Sequence, residues 1–188
     1  MKRMLVFALL LAAAAVAGAE GPQVVLETSK GTIVAELYPD KAPLSVENFL
    51  GYVESGFFDG TVFHRVIDGF MIQGGGFTAD LERKLTREAI QNESKNGVSN
   101  ARGTLAMART NDPHSATAQF YVNLVDNDNL DSRGGGWGYA VFGKVVEGMD
   151  VVDAIAKVPT GRQMGMGDVP TEAVVITKAT VKKAADAE

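Results

Sequence analysis

Eight short strand-like runs are distributed along the chain, and they restrict the possible folds more than any other feature of the sequence. β-Branched and other apolar residues fill these runs, and glycine- and asparagine-rich segments separate many of them. So many short strands with few helices predict a mainly β fold, a closed β-barrel. The runs are residues 23–28, 32–38, 61–66, 70–73, 103–108, 119–124, 140–146 and 173–183.

Two further segments have helical periodicity instead. Apolar residues recur every three or four positions in residues 42–54 and again in residues 147–158. Pro43 or Ser45 near the start and Gly56 near the end are typical helix boundaries for the first segment. The second has one apolar face, formed by Met149, Val152, Ile155 and Ala156. The sequence therefore predicts two helices beside the strands.

The N-terminal segment MKRMLVFALLLAAAAVAGA predicts export. Lys2 and Arg3 precede an apolar run of 14 residues, and Ala17-Gly18-Ala19 matches the small-x-small pattern of a signal peptidase site. The run is shorter than the roughly 20 residues of a membrane-spanning helix. We expect residues 1–19 to be a cleavable signal peptide, residues 20–188 to be one mature domain, and the protein to reside in the periplasm. An uncleaved anchor is the alternative.

Composition excludes several kinds of chemistry. The net charge of −5 without a basic stripe argues against nucleic acid as a partner. The absence of cysteine excludes disulfides, thiol catalysis and cysteine zinc sites, and two histidines are too few for a three-histidine metal site.

His64, on a predicted strand, is interpreted as a structural, hydrogen-bonded residue. The runs Gly74-Gly75-Gly76 and Gly134-Gly135-Gly136 match no phosphate-binding motif and predict turns, where the backbone must bend or approach closely.

One stretch, FHRVIDGFMIQGGGF, combines an arginine and a glutamine with several apolar side chains. Strand periodicity places Met71 and Gln73 on one face, and Gln119 and Tyr121 on one face of a later strand. If these faces meet, an apolar pocket has an amide beside it and the Arg65 guanidinium at its edge. The alternative is that these residues are ordinary core and surface, with the arginine paired to a carboxylate.

A pocket of this kind lacks a nucleophile, and rotation about an X-Pro bond needs none. The rotation barrier, roughly 18–20 kcal/mol, exists because amide resonance is lost in the twisted state. A catalyst need only hold the proline ring and donate hydrogen bonds to the twisted amide. Arginine suits this role because it stays charged and presents a rigid fork of donors.

At these residues the sequence resembles the cyclophilin family of peptidyl-prolyl cis-trans isomerases, and especially its exported bacterial members. FHRVIDGFMIQGGGF, GTLAMART, SATAQFYVNL and GYAVFGKVVEGMDVVDAI are similar to four family motifs, in the same order. The resemblance runs from about residue 23 to 181. It implies an eight-stranded antiparallel β-barrel capped by two α-helices, and a cofactor-free isomerase that assists the folding of exported proteins.

The resemblance also implies roles for individual residues. Arg65 is the expected catalytic arginine, and Gln73, the second expected catalytic residue, would hydrogen-bond the substrate backbone or Arg65. Gln119 would hydrogen-bond the substrate backbone or Arg65, and Ala108 would border the groove that receives the residues preceding the proline. The walls of the proline pocket would be Phe70, Met71, Tyr121 and Leu130.

Three positions depart from the family pattern. Tyr121 stands where a phenylalanine is usual, which keeps the ring and adds a hydroxyl. Asn129 stands where a tryptophan or phenylalanine associated with cyclosporin binding is common, so the resemblance does not extend to sensitivity to that inhibitor. Tyr139 stands where many eukaryotic members have histidine, and this replacement of histidine is similar to bacterial members.

The expected partners are proline-containing peptides and unfolded protein segments, with no nucleic acid and no stable membrane span, and the expected state is a monomer. Two rival functions remain at this point. One is a peptide-binding chaperone module that has lost turnover, which Asn129 weakly favours. The other is a structural scaffold, which gives no reason for an arginine beside an apolar slot.

Overall fold

A computed structural model of the chain describes residues 21–182. The predicted signal peptide, residues 1–19, lies outside the described residues, as do residue 20 and residues 183–188. Within the described part, no helix is both long enough and apolar enough to cross a membrane.

The described residues form ten strands and two α-helices, with one short 3-10 turn at Asp128–Leu130. In chain order they are β1 (Gln23–Thr28), β2 (Gly31–Leu37), α1 (Pro43–Glu54), β3 (Thr61–Ile67), β4 (Met71–Thr78), β5 (Thr104–Met107), β6 (Phe120–Asn123), β7 (Val141–Glu147), α2 (Met149–Ala156), β8 (Thr160–Gln163), β9 (Met166–Pro170) and β10 (Val175–Lys182).

Eight of the strands close into an antiparallel barrel in the order β1-β10-β3-β4-β6-β5-β7-β2, with β2 pairing back to β1. The predicted eight-stranded barrel with two helices is therefore confirmed. The predicted strands match the eight barrel strands to within a few residues, apart from β4, which extends further.

The barrel interior is filled by large apolar side chains, and α1 closes it. Phe49 of α1 is 1% exposed, and its ring centroid lies 5.1 Å from Phe58, 5.2 Å from Phe120 and 5.1 Å from Phe142. The second helix buries Val152, Ile155 and Ala156, with Met149 partly buried against the same core. Both predicted apolar helix faces are thus confirmed.

The β8–β9 hairpin forms a separate two-stranded sheet that the sequence pattern did not predict. Its residues alternate between exposed and half-buried in β8, so the strand has no apolar face to identify it. The connection turns through Met164 and Gly165, which both have positive φ. This hairpin packs beside β3, which carries Arg65.

The first triple-glycine run lies inside β4, so the expectation of a turn there is wrong, while the expectation of close approach is confirmed. A Cβ on Gly74 would lie 2.9 Å from the Phe63 ring, and one on Gly75 would lie 2.8 Å from the Phe58 ring. Side chains at these positions would collide with the core. The second run, at 134–136, does form a turn.

Candidate active site

A cavity of about 120 Å³ opens on the outside of the barrel, over the outward faces of β4 and β6. We call it the apolar cavity. It unites seven of the eight residues predicted for the site, together with Arg109 and Tyr139. The seven are Arg65, Phe70, Met71, Gln73, Ala108, Tyr121 and Leu130.

The floor of the apolar cavity belongs to a small apolar cluster separate from the barrel core. Met71 is 2% exposed and Tyr121 4% exposed, while Phe70 and Leu130 are half-buried at the sides. Cavities of about 150 Å³ lined by apolar side chains bind benzene. A five-membered proline ring is therefore of the right size and polarity for this cavity.

Arg65 lies at the rim, paired across the β3–β4 ladder with Gln73. Its side chain is 43% exposed, and its Nε lies 3.9 Å from Oδ2 of Asp168 on β9. An exposed ion pair of this length contributes at most about 1 kcal/mol. The pairing with a carboxylate considered above is thus present but weak, and it leaves the guanidinium accessible from the cavity.

Gln119, the eighth predicted residue, orients the side-chain amide of Gln73. Nε2 of Gln73 donates a 2.9 Å hydrogen bond to Oε1 of Gln119. Gln119 does not line the apolar cavity itself but the adjoining one, which Gln73 also lines. The two amides therefore form a polar edge between two neighbouring cavities, next to Arg65.

Sequence comparison agrees with this geometry. The family model of cyclophilin type peptidyl-prolyl cis-trans isomerases matches residues 23–181. The chain belongs to the cyclophilin family. It is 59% identical over 159 residues to peptidyl-prolyl cis-trans isomerase cyp18 of Streptomyces antibioticus, covering 83% of this chain and 96% of that one. It is 56% identical over 163 residues to peptidyl-prolyl cis-trans isomerase B of Escherichia coli, covering 85% and 99%.

A solved structure confirms the architecture of this cyclophilin. The crystal structure of a cyclophilin type peptidyl-prolyl cis-trans isomerase of Cryptosporidium parvum superposes with a TM-score of 0.73 at 23% identity, over 87% of this chain and 99% of that one. The shared fold and the high identity to the bacterial relatives make the protein a peptidyl-prolyl cis-trans isomerase.

The hydroxyl that distinguishes Tyr121 is tied into a buried network. Tyr121 donates a 2.7 Å hydrogen bond to Oδ1 of Asn100, whose backbone N–H and Nδ2 donate to Oδ1 of Asp131 at 2.7 and 2.9 Å. Burial raises the pKa of Tyr121 above its ordinary value, which keeps the hydroxyl protonated as a donor. Because Asp131 follows Leu130 directly, this network connects Tyr121 in the floor of the cyclophilin's apolar cavity with Leu130 in its side wall.

His64 occupies a buried position behind the site. It is 5% exposed, and its ring lies 4.6 Å from that of Phe77. Burial lowers its pKa to about 4, so it is neutral at physiological pH. Among the described residues its Nδ1 has no hydrogen-bond partner. A structural role agrees with this burial, but the expected hydrogen bonding is not confirmed for that atom.

Sequence reasoning missed Arg109, which lines both cavities of the cyclophilin. It directly follows Ala108 in the GTLAMART motif, where the adjacent basic residue was the available signal. Asn129, in contrast, is exposed in the 3-10 turn and lines neither cavity.

Gly76 provides a test of the Gln73–Gln119 pair. A Cβ at this position would lie 2.5 Å from Cγ of Gln119, and the backbone of Gly76 is not in the left-handed region. We expect Gly76→Ala to displace the Gln119 side chain and to break its hydrogen bond to Gln73. Losing one hydrogen bond of about 1 kcal/mol should lower kcat/KM for an Ala-Pro peptide about fivefold.

The comparison for this variant is Gly161→Ala in β8, where a Cβ would make an ordinary 3.8 Å contact with Thr171. Exchange NMR measures turnover, and the side-chain amide resonances of Gln73 and Gln119 report the hydrogen bond. Unchanged amide resonances and parental turnover in Gly76→Ala would show that the pair does not depend on this glycine.

Proposed function

We propose that this cyclophilin isomerises X-Pro bonds in exported proteins while they fold, and that it acts in the periplasm after cleavage of residues 1–19. The observation that carries the catalytic part is a guanidinium at the rim of an apolar cavity of proline size. The observation that carries the location is the signal-like segment at the N-terminus.

Catalysis follows from the arrangement of the side chains. The proline ring enters the apolar cavity between Phe70 and Leu130, above Met71 and Tyr121. The Arg65 fork then donates hydrogen bonds to the substrate amide, whose nitrogen gains lone-pair character when the bond twists. Because this interaction is stronger in the twisted state than in either planar state, it lowers the barrier. The reaction breaks and forms no covalent bond.

The remaining residues hold the substrate in place. The amides of Gln73 and Gln119 lie beside Arg65 and are available to the substrate backbone. Ala108 is small enough to leave a passage between the two cavities, both of which it lines. Since a single chain supplies all of these residues, we propose a monomer as the active form.

Export is tested with the full chain in a Gram-negative host. We expect the protein in the periplasmic fraction, with the mass of a chain that begins at residue 20. Leu9→Arg, within the apolar run, should retain it in the cytoplasm at full length, because signal recognition requires an apolar segment. The matched control is Leu85→Arg, which adds the same charge at a side chain that is 97% exposed.

Two outcomes would contradict this part of the proposal. A membrane-bound chain of full mass would mean that the segment is an uncleaved anchor, and equal export of Leu9→Arg would mean that the segment is not a signal. The role in folding is tested separately. The purified mature chain should accelerate the proline-limited refolding phase of an exported protein, which otherwise takes about 10–100 s.

A further inference from the structure

A second cavity, of about 110 Å³, adjoins the apolar cavity and shares Gln73, Ala108 and Arg109 with it. We call it the arginine cavity, because Arg83 and Arg109 both line it. The rest of its polar lining is uncharged. Among residues 21–182, a carboxylate lines neither cavity, although the chain as a whole carries a net charge of −5.

The guanidinium of Arg109 is held by groups that do not neutralise its positive charge. It donates to the carbonyl oxygens of Thr110 at 2.9 Å, Trp137 at 3.2 Å and Gly138 at 3.2 Å. It also lies 4.4 Å from the centroid of the Tyr139 ring. These partners orient the side chain but carry no negative charge, and Arg109 forms no salt bridge within residues 21–182.

Arg83 reaches the same cavity from the segment between β4 and β5. A backbone bridge to Phe77 holds this segment against β4. The side chain of Arg83 is exposed and has no salt-bridge partner in the described part of the chain. Two positive side chains from separate segments therefore line one small space, and neither is paired with an acid of the described residues.

We propose that the arginine cavity selects substrates that carry an acidic side chain two residues before the proline. The inference rests on the proposed function, in which the proline ring occupies the apolar cavity, and on the expectation that the residues preceding the proline pass Ala108, which lines both cavities. Successive residues of an extended chain advance about 3.3–3.6 Å. A side chain two positions before the proline can therefore reach the adjoining cavity, where Arg83 and Arg109 attract a carboxylate.

The test compares three peptides with the sequence Ala-X-Ala-Pro-Phe, in which X is Glu, Gln or Lys. Exchange NMR gives kcat/KM for each, and chemical-shift titration gives Kd. At low ionic strength we expect the Glu peptide to exceed the Gln peptide about threefold to tenfold in kcat/KM, with the Lys peptide lowest. The differences should shrink in about 1 M salt, where exposed charges are screened beyond roughly 3 Å.

Arg83→Gln should reduce the ratio between the Glu and Lys peptides severalfold. Lys30→Gln is the matched control, since it removes the same charge from the turn between β1 and β2 and lines neither cavity. The ratio should persist in that variant. A ratio that falls equally in both variants would attribute the preference to net charge and overturn the local assignment.

The outcomes separate this inference from the proposed function. Equal kcat/KM and equal Kd for the three peptides, with rapid exchange of all of them, would overturn the acidic preference and leave the isomerase site intact. Slow exchange of every peptide would contradict the proposed site. The Kd values for the Glu and Lys peptides would still decide whether the arginine cavity selects acids.

Discussion

Arg65→Ala is expected to lower kcat/KM for an Ala-Pro peptide about 100-fold to 1000-fold. Removing one donor aimed at the charge that develops in a transition state has a cost of this order in other enzymes. The proposed function assigns this role to Arg65, which lies at the rim of the apolar cavity and opposite Gln73 in the β3–β4 ladder. The remaining activity would come from holding the proline ring alone.

Arg65→Ala should leave the fold nearly unchanged. The side chain is 43% exposed, and its pairing with Asp168 at 3.9 Å is weak. We expect the free energy of unfolding to change by less than about 1 kcal/mol. Arg65→Lys is informative as well, because it keeps the charge but loses the planar fork, and it should give an intermediate rate.

Exchange NMR with catalytic amounts of the mature domain measures this effect. Arg162→Ala is the matched control, because Arg162 is an exposed arginine of β8 that lines neither cavity. Rapid exchange with the parent and slow exchange with Arg65→Ala, both of which still bind the peptide, would establish that the arginine acts in turnover. Equal rates for parent and Arg65→Ala would remove Arg65 from the catalytic role.

The barrel was predictable because its strands and helices differ in their apolar periodicity. The helix faces of α1 and α2 follow directly from residues three and four positions apart, such as Val152 and Ile155. β8 and β9 were missed since neither has an apolar run, and their turn depends on the positive φ of Met164 and Gly165. Gly74 to Gly76 also misled the sequence reasoning, because glycine marks both turns and close packing within strands.

The composition of the site was predictable from motifs, but its contacts were not. Strand alternation places Gln73 and Tyr121 outward. Only the pairing of β4 with β6 in the structure shows that these two residues lie opposite each other. The hydrogen bond from Tyr121 to Asn100 joins positions 21 residues apart, and no local pattern predicts it. Arg109 was missed for a similar reason, since its orientation depends on carbonyl groups at Trp137 and Gly138.

Phe49→Ala should have the largest effect on stability, lowering the free energy of unfolding by about 3–5 kcal/mol. The ring is 1% exposed and packs against three other phenylalanine rings with centroids 5.1–5.2 Å away. Truncation leaves a cavity where α1 closes the barrel, and the surrounding strands can collapse into it only in part. Urea unfolding followed by far-UV circular dichroism measures the change.

Leu44→Ala is the control on the same helix, because its side chain is 42% exposed. It should cost less than about 1 kcal/mol. Since Phe49 lines neither cavity, Phe49→Ala should retain most of its turnover at temperatures where it is folded, whereas Arg65→Ala should lose turnover without losing stability. If folded Phe49→Ala lost turnover as severely as Arg65→Ala, the site would depend on the packing of the barrel core. The barrel core and the apolar cluster beneath the apolar cavity would then not act independently.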